Sequence, residues 1–248
     1  GAAVVDNPSF WRMHEDVPTV VAGVNSEAAQ HHKGIVANPN CTTMVMMMAL
    51  APLHHAAGLE RLVVSTYQAV SGTGNKAIAE LEDQSSQVLA GEPIDDPKVY
   101  PHRIAFNVIP QVETFKDGDD YTTEERKVMA ETRKILGFGD EVGISATCAR
   151  VPVVSGHSES INIQTREDLS PDRAREILGQ VSGVIVVDDP SNGEYPMAID
   201  GAGRDEVLVG RIRRDPSQER CLNLWLVGDN LRKGAATNAV QVAEVLIE

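Results

Sequence analysis

The chain has 248 residues, enough for one large domain or two smaller ones around a sizeable apolar core. Asp and Glu outnumber Lys and Arg by 36 to 22, and the net charge of −14 argues against nucleic acid and anionic membranes as partners. The three cysteines are too few and too scattered for a disulfide framework or a zinc ribbon, so we expect a cytoplasmic protein that holds no metal.

The chain opens on a strand-like segment. Residues 1–7, Gly-Ala-Ala-Val-Val-Asp-Asn, predict a buried strand, and because domains rarely begin inside such a run we expect further sequence upstream. The apolar run at residues 44–53 has about half the length of a membrane span. We therefore expect neither a transmembrane helix nor a signal peptide.

Caps and apolar spacing predict helices at residues 42–57, 75–89, 122–136 and 170–179, followed by a terminal helix. Thr42 or Thr43 is the predicted cap of the first helix and Asn75 that of the second, and Thr122 with Glu125 has the spacing of a capping box. The terminal helix is expected to pack through one apolar face, formed by Ala236, Ala239, Val240, Ala243, Leu246 and Ile247.

Segments rich in Val and Ile predict strands at residues 61–68, 103–109, 142–151, 160–165, 184–187, 207–212 and 221–227. Strands and helices are mixed throughout, which indicates an α/β or α+β fold. Residues 91–101 and 188–203 are rich in Pro, Gly and Asp and are predicted to be surface insertions.

Asn38-Pro-Asn-Cys-Thr-Thr43 places a cysteine at a predicted helix N-terminus. Free N–H groups and the helix dipole there favour a thiolate, which would attack a carbonyl carbon, and the same N–H groups could stabilise an oxyanion. The alternative for Cys41 is a buried, inert cysteine.

Three further patterns carry possible chemistry. His157 is predicted in a turn after a strand, placed to act as a base and then an acid, although any single histidine can be merely structural. The Gly-rich turn at residues 71–74 can approach a phosphate or ribose, or be an ordinary turn. Glu124 and Lys127 share a helix face and form either a surface ion pair or a contact with a zwitterionic substrate.

Four segments together resemble aspartate-semialdehyde dehydrogenases. They are Asn38-Pro-Asn-Cys-Thr-Thr43, Tyr67-Gln-Ala-Val-Ser-Gly-Thr-Gly74, Arg150-Val-Pro-Val-Val-Ser-Gly-His157 and Gly228-Asp-Asn-Leu-Arg-Lys-Gly-Ala-Ala236, in family order. The resemblance extends over essentially the whole chain. The GxTGxVG-type turn of the family's cofactor domain does not occur in this sequence.

The resemblance implies a role for each matching residue. Cys41 matches the nucleophile, His157 the acid/base catalyst and Gln68 the residue that positions the substrate. Arg150 matches the residue that binds the substrate carboxylate, and Glu124 the residue that receives its amino group. The phosphate-binding positions are Arg12, Asn40 and Lys127, and the positions near the nicotinamide are Ser71, Gly72 and Asn230.

The resemblance also implies the architecture. We expect the end of a Rossmann-type dinucleotide-binding domain at residues 1–40 and a mixed-sheet catalytic and dimerisation domain at 41–229, similar to that of glyceraldehyde-3-phosphate dehydrogenase. Residues 230–248 would form a terminal helix that packs back on the cofactor domain. A homodimer or homotetramer is expected, with the apolar helix at 44–53 and the sheet as candidate contacts.

The implied reaction reduces L-aspartyl 4-phosphate to L-aspartate 4-semialdehyde through a Cys41 thioester, with NADPH as the hydride donor and phosphate as the leaving group. It belongs to the biosynthesis of lysine, threonine and methionine. One alternative is a related N-acetyl-glutamyl-phosphate reductase, whose substrate has no free ammonium for Glu124. Another is a non-catalytic dimerising fragment that lacks the cofactor half.

Overall fold

The computed structural model describes residues 2–247, which fold as a mixed sheet covered on one face by helices. The strands are β1 Val4–Asp6, β2 Ile35–Ala37, β3 Leu59–Gln68, β4 Gly143–Arg150, β5 His157–Thr165, β6 Val184–Val186, β7 Val207–Arg214 and β8 Cys221–Gly228. The α-helices are α1 Cys41–Ala57, α2 Asn75–Ala90, α3 Thr123–Leu136, α4 Pro171–Leu178, α5 Ala198–Gly201 and α6 Thr237–Ile247. A short π-helical turn, Arg232–Ala236, precedes α6.

The main sheet has the order β4-β3-β5-β8-β7-β6 within the described residues. β3 pairs parallel with β4 and antiparallel with β5, and β6 pairs parallel with β7, so the sheet is mixed as predicted. β1 and β2 form a separate parallel pair. The C-terminal ends of β3 and β4 and the start of β5 lie at the same end of the sheet, because β4 runs parallel to β3 and β5 runs antiparallel to it.

Helix α1 forms the centre of the core. Its side chains from Met44 to Leu50 are at most 2% exposed, packed among the sheet, α3 and α4. A helix that is apolar on all sides needs cover on all sides. The expectation that residues 44–53 form a subunit contact is therefore wrong, and the uncovered face of the sheet is the remaining candidate.

The predicted strand at 103–109 is wrong. Ile104 and Ala105 are fully buried in a second apolar cluster against α2, and their N–H groups donate to the Gln84 side chain instead of to a neighbouring strand. Only Ile109 pairs with the sheet edge, through Arg150. The apolar residues of this segment pack against α2. A segment that packs in this way has the same apolar composition as a strand, so its composition could not tell the two apart.

Both ends of the chain differ from prediction. Gly1 and Glu248 lie outside the described residues, and β1 is a short strand in which Val4 is 54% exposed. Helix α6 packs through Asn238 and Val242 against β1 and the segment at 26–31, while most of the predicted apolar face is exposed. The division into domains at 40 and 229 stays a prediction.

The predicted caps are confirmed at α3 and α4 and are wrong at α1 and α2, since Asn40 and not Thr42 or Thr43 caps α1. Thr122 and Glu125 form the predicted capping box at α3, and Ser170 caps α4 before Pro171. Asn75 is instead the first residue of α2, after Gly74.

Candidate active site

The predicted site residues converge on one cavity of about 820 Å³. The N-termini of α1 and α3 reach it from one side, and the ends of β3 and β4, the start of β5 and the loop after β8 reach it from the other. Of the predicted residues, those that line it are Arg12, Asn40, Cys41, Gln68, Gly72, Glu124, Lys127, Arg150, His157 and Asn230. Ser71 lies just behind, where its hydroxyl hydrogen-bonds with the Asn230 side chain.

Cys41 is the first residue of α1, as predicted, and is partly exposed. Asn40 caps the helix: its Oδ1 accepts from the N–H groups of Thr42 at 3.0 Å and Thr43 at 3.4 Å. These two donors are therefore engaged in capping the helix, and the expectation that the helix N-terminus stabilises an oxyanion stays a prediction. Burial, and secondarily Glu124, raises the pKa of Cys41 to about 12, which is the opposite direction from the shift that a helix N-terminus favours.

Glu124 is the acidic centre of the site. Its carboxylate is buried and accepts from Asn40 Nδ2 and from Gln68 Nε2, each at 3.0 Å. Thr66 donates to Gln68 Oε1 at 3.0 Å, which orients the amide so that its NH₂ faces Glu124. Lys127 lies 3.8 Å from Glu124 but contacts Glu113 more closely.

Arg12 is fixed by backbone and carboxylate partners. Its guanidinium donates to Glu131 Oε1 at 3.1 Å and to two backbone carbonyls, those of Asn38 and Asn7. Glu131 is 1% exposed and also accepts from the Asn40 N–H at 2.6 Å. Burial raises the pKa of Glu131, and the nearby positive charge of Arg12 opposes that shift.

Arg150 and His157 are adjacent at the cavity wall. Arg150 donates from Nη1 to the Ala69 carbonyl at 2.6 Å, and its buried Nε has no partner among the described residues. His157 is fully buried, and its Nδ1 accepts from the Ala69 N–H at 3.0 Å. A Cβ at Gly72 would lie 3.3 Å from both side chains, so a larger residue there would crowd them. Burial, with a smaller effect of Arg150, lowers the pKa of His157 to about 3.

His157 is the first residue of β5, not part of the predicted turn. The strand places its side chain on the core side of the sheet, where it is fully buried.

Sequence reasoning missed several residues that support the site. Glu131 lies seven positions after Glu124 on α3, and that helical spacing was a usable signal. Glu113 and Tyr100 come from a long irregular segment and carried no signal. Tyr100 places its ring 5.8 Å from the Arg150 guanidinium.

Within residues 2–247, no group of three or more His, Cys, Asp or Glu side chains is placed to hold a metal ion. In the same part of the chain, no helix combines the length and apolarity required to cross a membrane.

Comparison with known proteins gives consistent matches. Residues 50–233 match the family described as semialdehyde dehydrogenase, dimerisation domain. The chain is 52% identical to aspartate-semialdehyde dehydrogenase of Aquifex aeolicus, over all of this chain and 73% of that protein. It is similar to the crystal structure of aspartate semialdehyde dehydrogenase II of Vibrio cholerae complexed with ASA, at 42% identity and a TM-score of 0.94, over 99% of this chain and 72% of that one. It is also similar to the crystal structure of aspartate semialdehyde dehydrogenase with NADP from Candida albicans, at 26% identity and a TM-score of 0.73, over 99% of this chain and 70% of that one.

Proposed function

This chain belongs to the aspartate-semialdehyde dehydrogenase family, and we propose that it reduces L-aspartyl 4-phosphate to L-aspartate 4-semialdehyde and phosphate with NADPH. The observation that carries the proposal is the convergence of Cys41, Glu124, Arg150 and His157 on one cavity. Cys41 supplies a nucleophile, and Glu124 an acceptor for an ammonium group. Arg150 supplies hydrogen-bond donors for a carboxylate, and His157 an imidazole. An aminoacyl phosphate has a matching group for each.

Arg150 and Glu124 account for recognition of the amino acid end. A guanidinium binds a carboxylate with two parallel hydrogen bonds, and the unpartnered Nε of Arg150 is available for one of them. Glu124 is held by two amide groups that cannot neutralise its charge, so it remains an acceptor for an ammonium group. An N-acetylated substrate has no such ammonium, which disfavours N-acetyl-glutamyl phosphate.

Arg12, Lys127 and Asn40 are proposed to bind the phosphoryl group. Arg12 and Lys127 give positive charge to one side of the cavity within a protein of net charge −14. The buried Glu131 fixes Arg12, while Glu113 and Glu124 hold Lys127 near the opening. The two basic side chains are thus held in position by ion pairs with these carboxylates before a phosphoryl group binds.

Cys41 attacks the acyl carbon and carries the acyl group as a thioester, while phosphate leaves. Gln68 lies between Thr66 and Glu124, where its fixed amide positions the substrate beside the thiol. Because burial raises the pKa of Cys41 to about 12, the thiol needs a proton acceptor for the attack, and His157 in the same cavity is the proposed acid/base catalyst.

Ser71, Gly72 and Asn230 fit the nicotinamide end of a cofactor. Two hydrogen bonds join the side chains of Ser71 and Asn230, and Gly72 has no side chain to fill the cavity beside His157. NADPH, when bound, supplies the hydride that reduces the thioester. The dinucleotide phosphates would need groups beyond these three residues, because the sequence has no GxTGxVG-type turn.

A homodimer is proposed to form through the uncovered face of the main sheet, since the matched family is a dimerisation domain. The half-exposed side chains of this face include Val63, Tyr67 and Trp225, with Tyr67 and Trp225 stacked at 5.3 Å. Such aromatic groups are typical of the centre of an interface. A tetramer would need a further contact.

The test separates acyl transfer from hydride transfer. The chain is mixed with L-aspartyl 4-phosphate without cofactor, and intact mass and released phosphate are followed. We expect one acyl group on Cys41 and an equal amount of phosphate, with neither in Cys41→Ala. Absence of acylation in the folded chain would contradict the proposal. NADPH is then added: acylation without aldehyde formation would identify a fragment that completes only the first half of the reaction.

A further inference from the structure

Residues 92–105 form an irregular strap between α2 and α3, and the side chains of α2 determine its path. Through Oε2, Glu80 accepts from the N–H groups of Lys98 at 2.7 Å and Val99 at 2.8 Å. Its Oε1 accepts from the Tyr100 N–H at 3.4 Å. One carboxylate thus binds three successive N–H groups, and charge-assisted bonds of this kind are among the strong ones.

Two glutamines continue this arrangement along α2. Gln84 Oε1 accepts from the N–H groups of Ile104 at 3.0 Å and Ala105 at 3.3 Å. Gln87 Oε1 accepts from an N–H group near the start of the strap at 3.1 Å. Because Glu80, Gln84 and Gln87 are four and three positions apart, they share one face of the helix. This face of α2 therefore fixes the strap at three places.

Tyr100 connects the strap to Arg150. It lines the cavity together with its neighbours Val99 and Pro101. Its hydroxyl donates to Thr73 Oγ1 at 3.0 Å, and the guanidinium carbon of Arg150 lies over its ring, 5.8 Å from the ring centre. The backbone, the hydroxyl and the ring of Tyr100 are thus each in contact with a different element: α2, the turn after β3, and β4.

The Arg150 guanidinium has an aromatic neighbour where a carboxylate would be usual. It is 6% exposed, and within residues 2–247 it donates to the Ala69 carbonyl and lies within ion-pair distance of no carboxylate. A carboxylate partner would neutralise the charge and occupy the donors that a substrate needs. The face of a ring attracts a guanidinium and occupies none of its donors. Tyr100 therefore stabilises Arg150 and leaves its buried Nε free to bind a ligand.

We propose that Tyr100 is a positioning residue for substrate binding: its ring orients the Arg150 guanidinium toward the carboxylate of the aminoacyl phosphate, and Glu80 holds Tyr100 in place. This deepens the proposed function and rests on it for the identity of the ligand. The strap then contributes to the affinity for the amino acid end of the substrate. Bond formation at Cys41 does not involve it.

The first experiment detects the stacked pair without substrate. The chain is labelled with ¹⁵N-arginine, and the Nε–H signal of Arg150 is assigned by its loss in Arg150→Lys. A ring current moves the signals of protons over an aromatic face upfield. We therefore expect the Arg150 signal to move downfield in Tyr100→Leu and to stay near its wild-type position in Tyr100→Phe, which keeps the ring. An unmoved signal in Tyr100→Leu would overturn the proposal.

A second stacked pair is the matched control. The guanidinium carbon of Arg126, an exposed residue of α3, lies 4.5 Å from the centre of the Tyr121 ring. Tyr121→Leu should shift the Arg126 signal and leave the Arg150 signal unchanged, and Tyr100→Leu should do the reverse. Shifts of both signals in Tyr100→Leu would indicate a change throughout the fold and would contradict a local contact.

Hydrogen exchange tests the contact with Glu80. Glu80→Ala removes the acceptor of three successive N–H groups, so peptides that contain residues 98–100 should exchange about tenfold faster. Glu82→Ala, at an exposed position of the same helix, should leave their exchange unchanged. Equal exchange in wild type and Glu80→Ala would refute the role given to Glu80.

The effect on binding is measured through acylation of Cys41 at increasing concentrations of L-aspartyl 4-phosphate. In Tyr100→Leu, loss of the ring should raise the half-maximal concentration about tenfold with little change in the maximal rate. Tyr100→Phe lacks only the hydroxyl and should stay within about threefold of wild type. Equal effects of the two substitutions, or a fall in the maximal rate alone, would contradict the proposal.

A double substitution tests whether Tyr100 acts through Arg150. In an Arg150→Met chain the ring has no guanidinium to orient, so adding Tyr100→Leu should change the acylation rate at low substrate concentration less than about twofold. Additive effects would show that Tyr100 acts independently and would overturn the proposal. If the wild-type chain is not acylated at all, the proposed function fails, while the Arg150 signal still decides whether the ring orients the guanidinium.

Discussion

Glu159 offers the sharpest test of how burial sets charge in this fold. It lies two residues after His157 on the same face of β5, between Thr66 of β3 and Leu226 of β8. The residue is 0% exposed, and neither carboxyl oxygen has a partner among residues 2–247. Burial raises its pKa well above the usual 4.5, so the folded protein holds a neutral carboxylic acid there.

The consequence for stability follows from proton linkage. An acid whose pKa is raised on folding stabilises the native state below its unfolded pKa and loses that contribution as pH rises. While the folded carboxyl stays protonated, each pH unit above the unfolded pKa costs about 1.4 kcal/mol of stability. Glu159→Gln keeps the shape and has no proton to lose, so it should remove this cost.

The assay is urea unfolding of wild type and Glu159→Gln between about pH 4.5 and pH 7 at one protein concentration. We expect the two to agree within about 1 kcal/mol at the acid end and the variant to gain about 1.4 kcal/mol per pH unit thereafter. Glu167→Gln, at an exposed position, controls for the change in net charge. A difference that does not depend on pH, or a variant less stable near pH 7, would refute the reasoning.

Three further substitutions probe the cavity. Glu124→Gln removes the charge that helps raise the pKa of Cys41, so iodoacetamide alkylation at mildly alkaline pH should be about tenfold faster; an unchanged rate would contradict this. Gly72→Ala places a Cβ 3.3 Å from Arg150 and His157 and should slow acylation about tenfold, with little change in melting temperature. Full activity would show that both side chains can shift to accommodate the methyl group. Arg150→Lys loses bidentate binding and should raise the aspartyl phosphate concentration needed for half-maximal acylation about tenfold or more; an unchanged value would place the carboxylate elsewhere.

Local signals in the sequence predicted the elements that local chemistry determines. The capping box at Thr122 and Glu125 needs only residues three positions apart, and the structure confirms it. The apolar segment at 103–109 has the composition of a strand, but its fate depends on Gln84, some twenty positions away on α2. No property of the segment itself contains that information.

The same distinction holds at the site. Cys41 could be placed at a helix N-terminus from the residues around it, and the family resemblance directed attention to the residues that share its cavity. The partners that set their charges were not predictable in this way. Glu113 reaches Lys127 from an irregular segment, and Ala69 contacts His157 through a backbone N–H, which no side-chain motif records.

The state of Cys41 shows why such partners decide the chemistry. A helix N-terminus stabilises a negative charge by about 0.3–1 kcal/mol. Since one pKa unit corresponds to about 1.4 kcal/mol, it lowers a pKa by less than one unit. Burial and Glu124 together shift the pKa from 9.0 to about 12, in the opposite direction and by a larger amount. Asn40 Oδ1 already accepts from the Thr42 and Thr43 N–H groups, so the helix N-terminus that the sequence suggested does little to offset the effect of burial on the thiol.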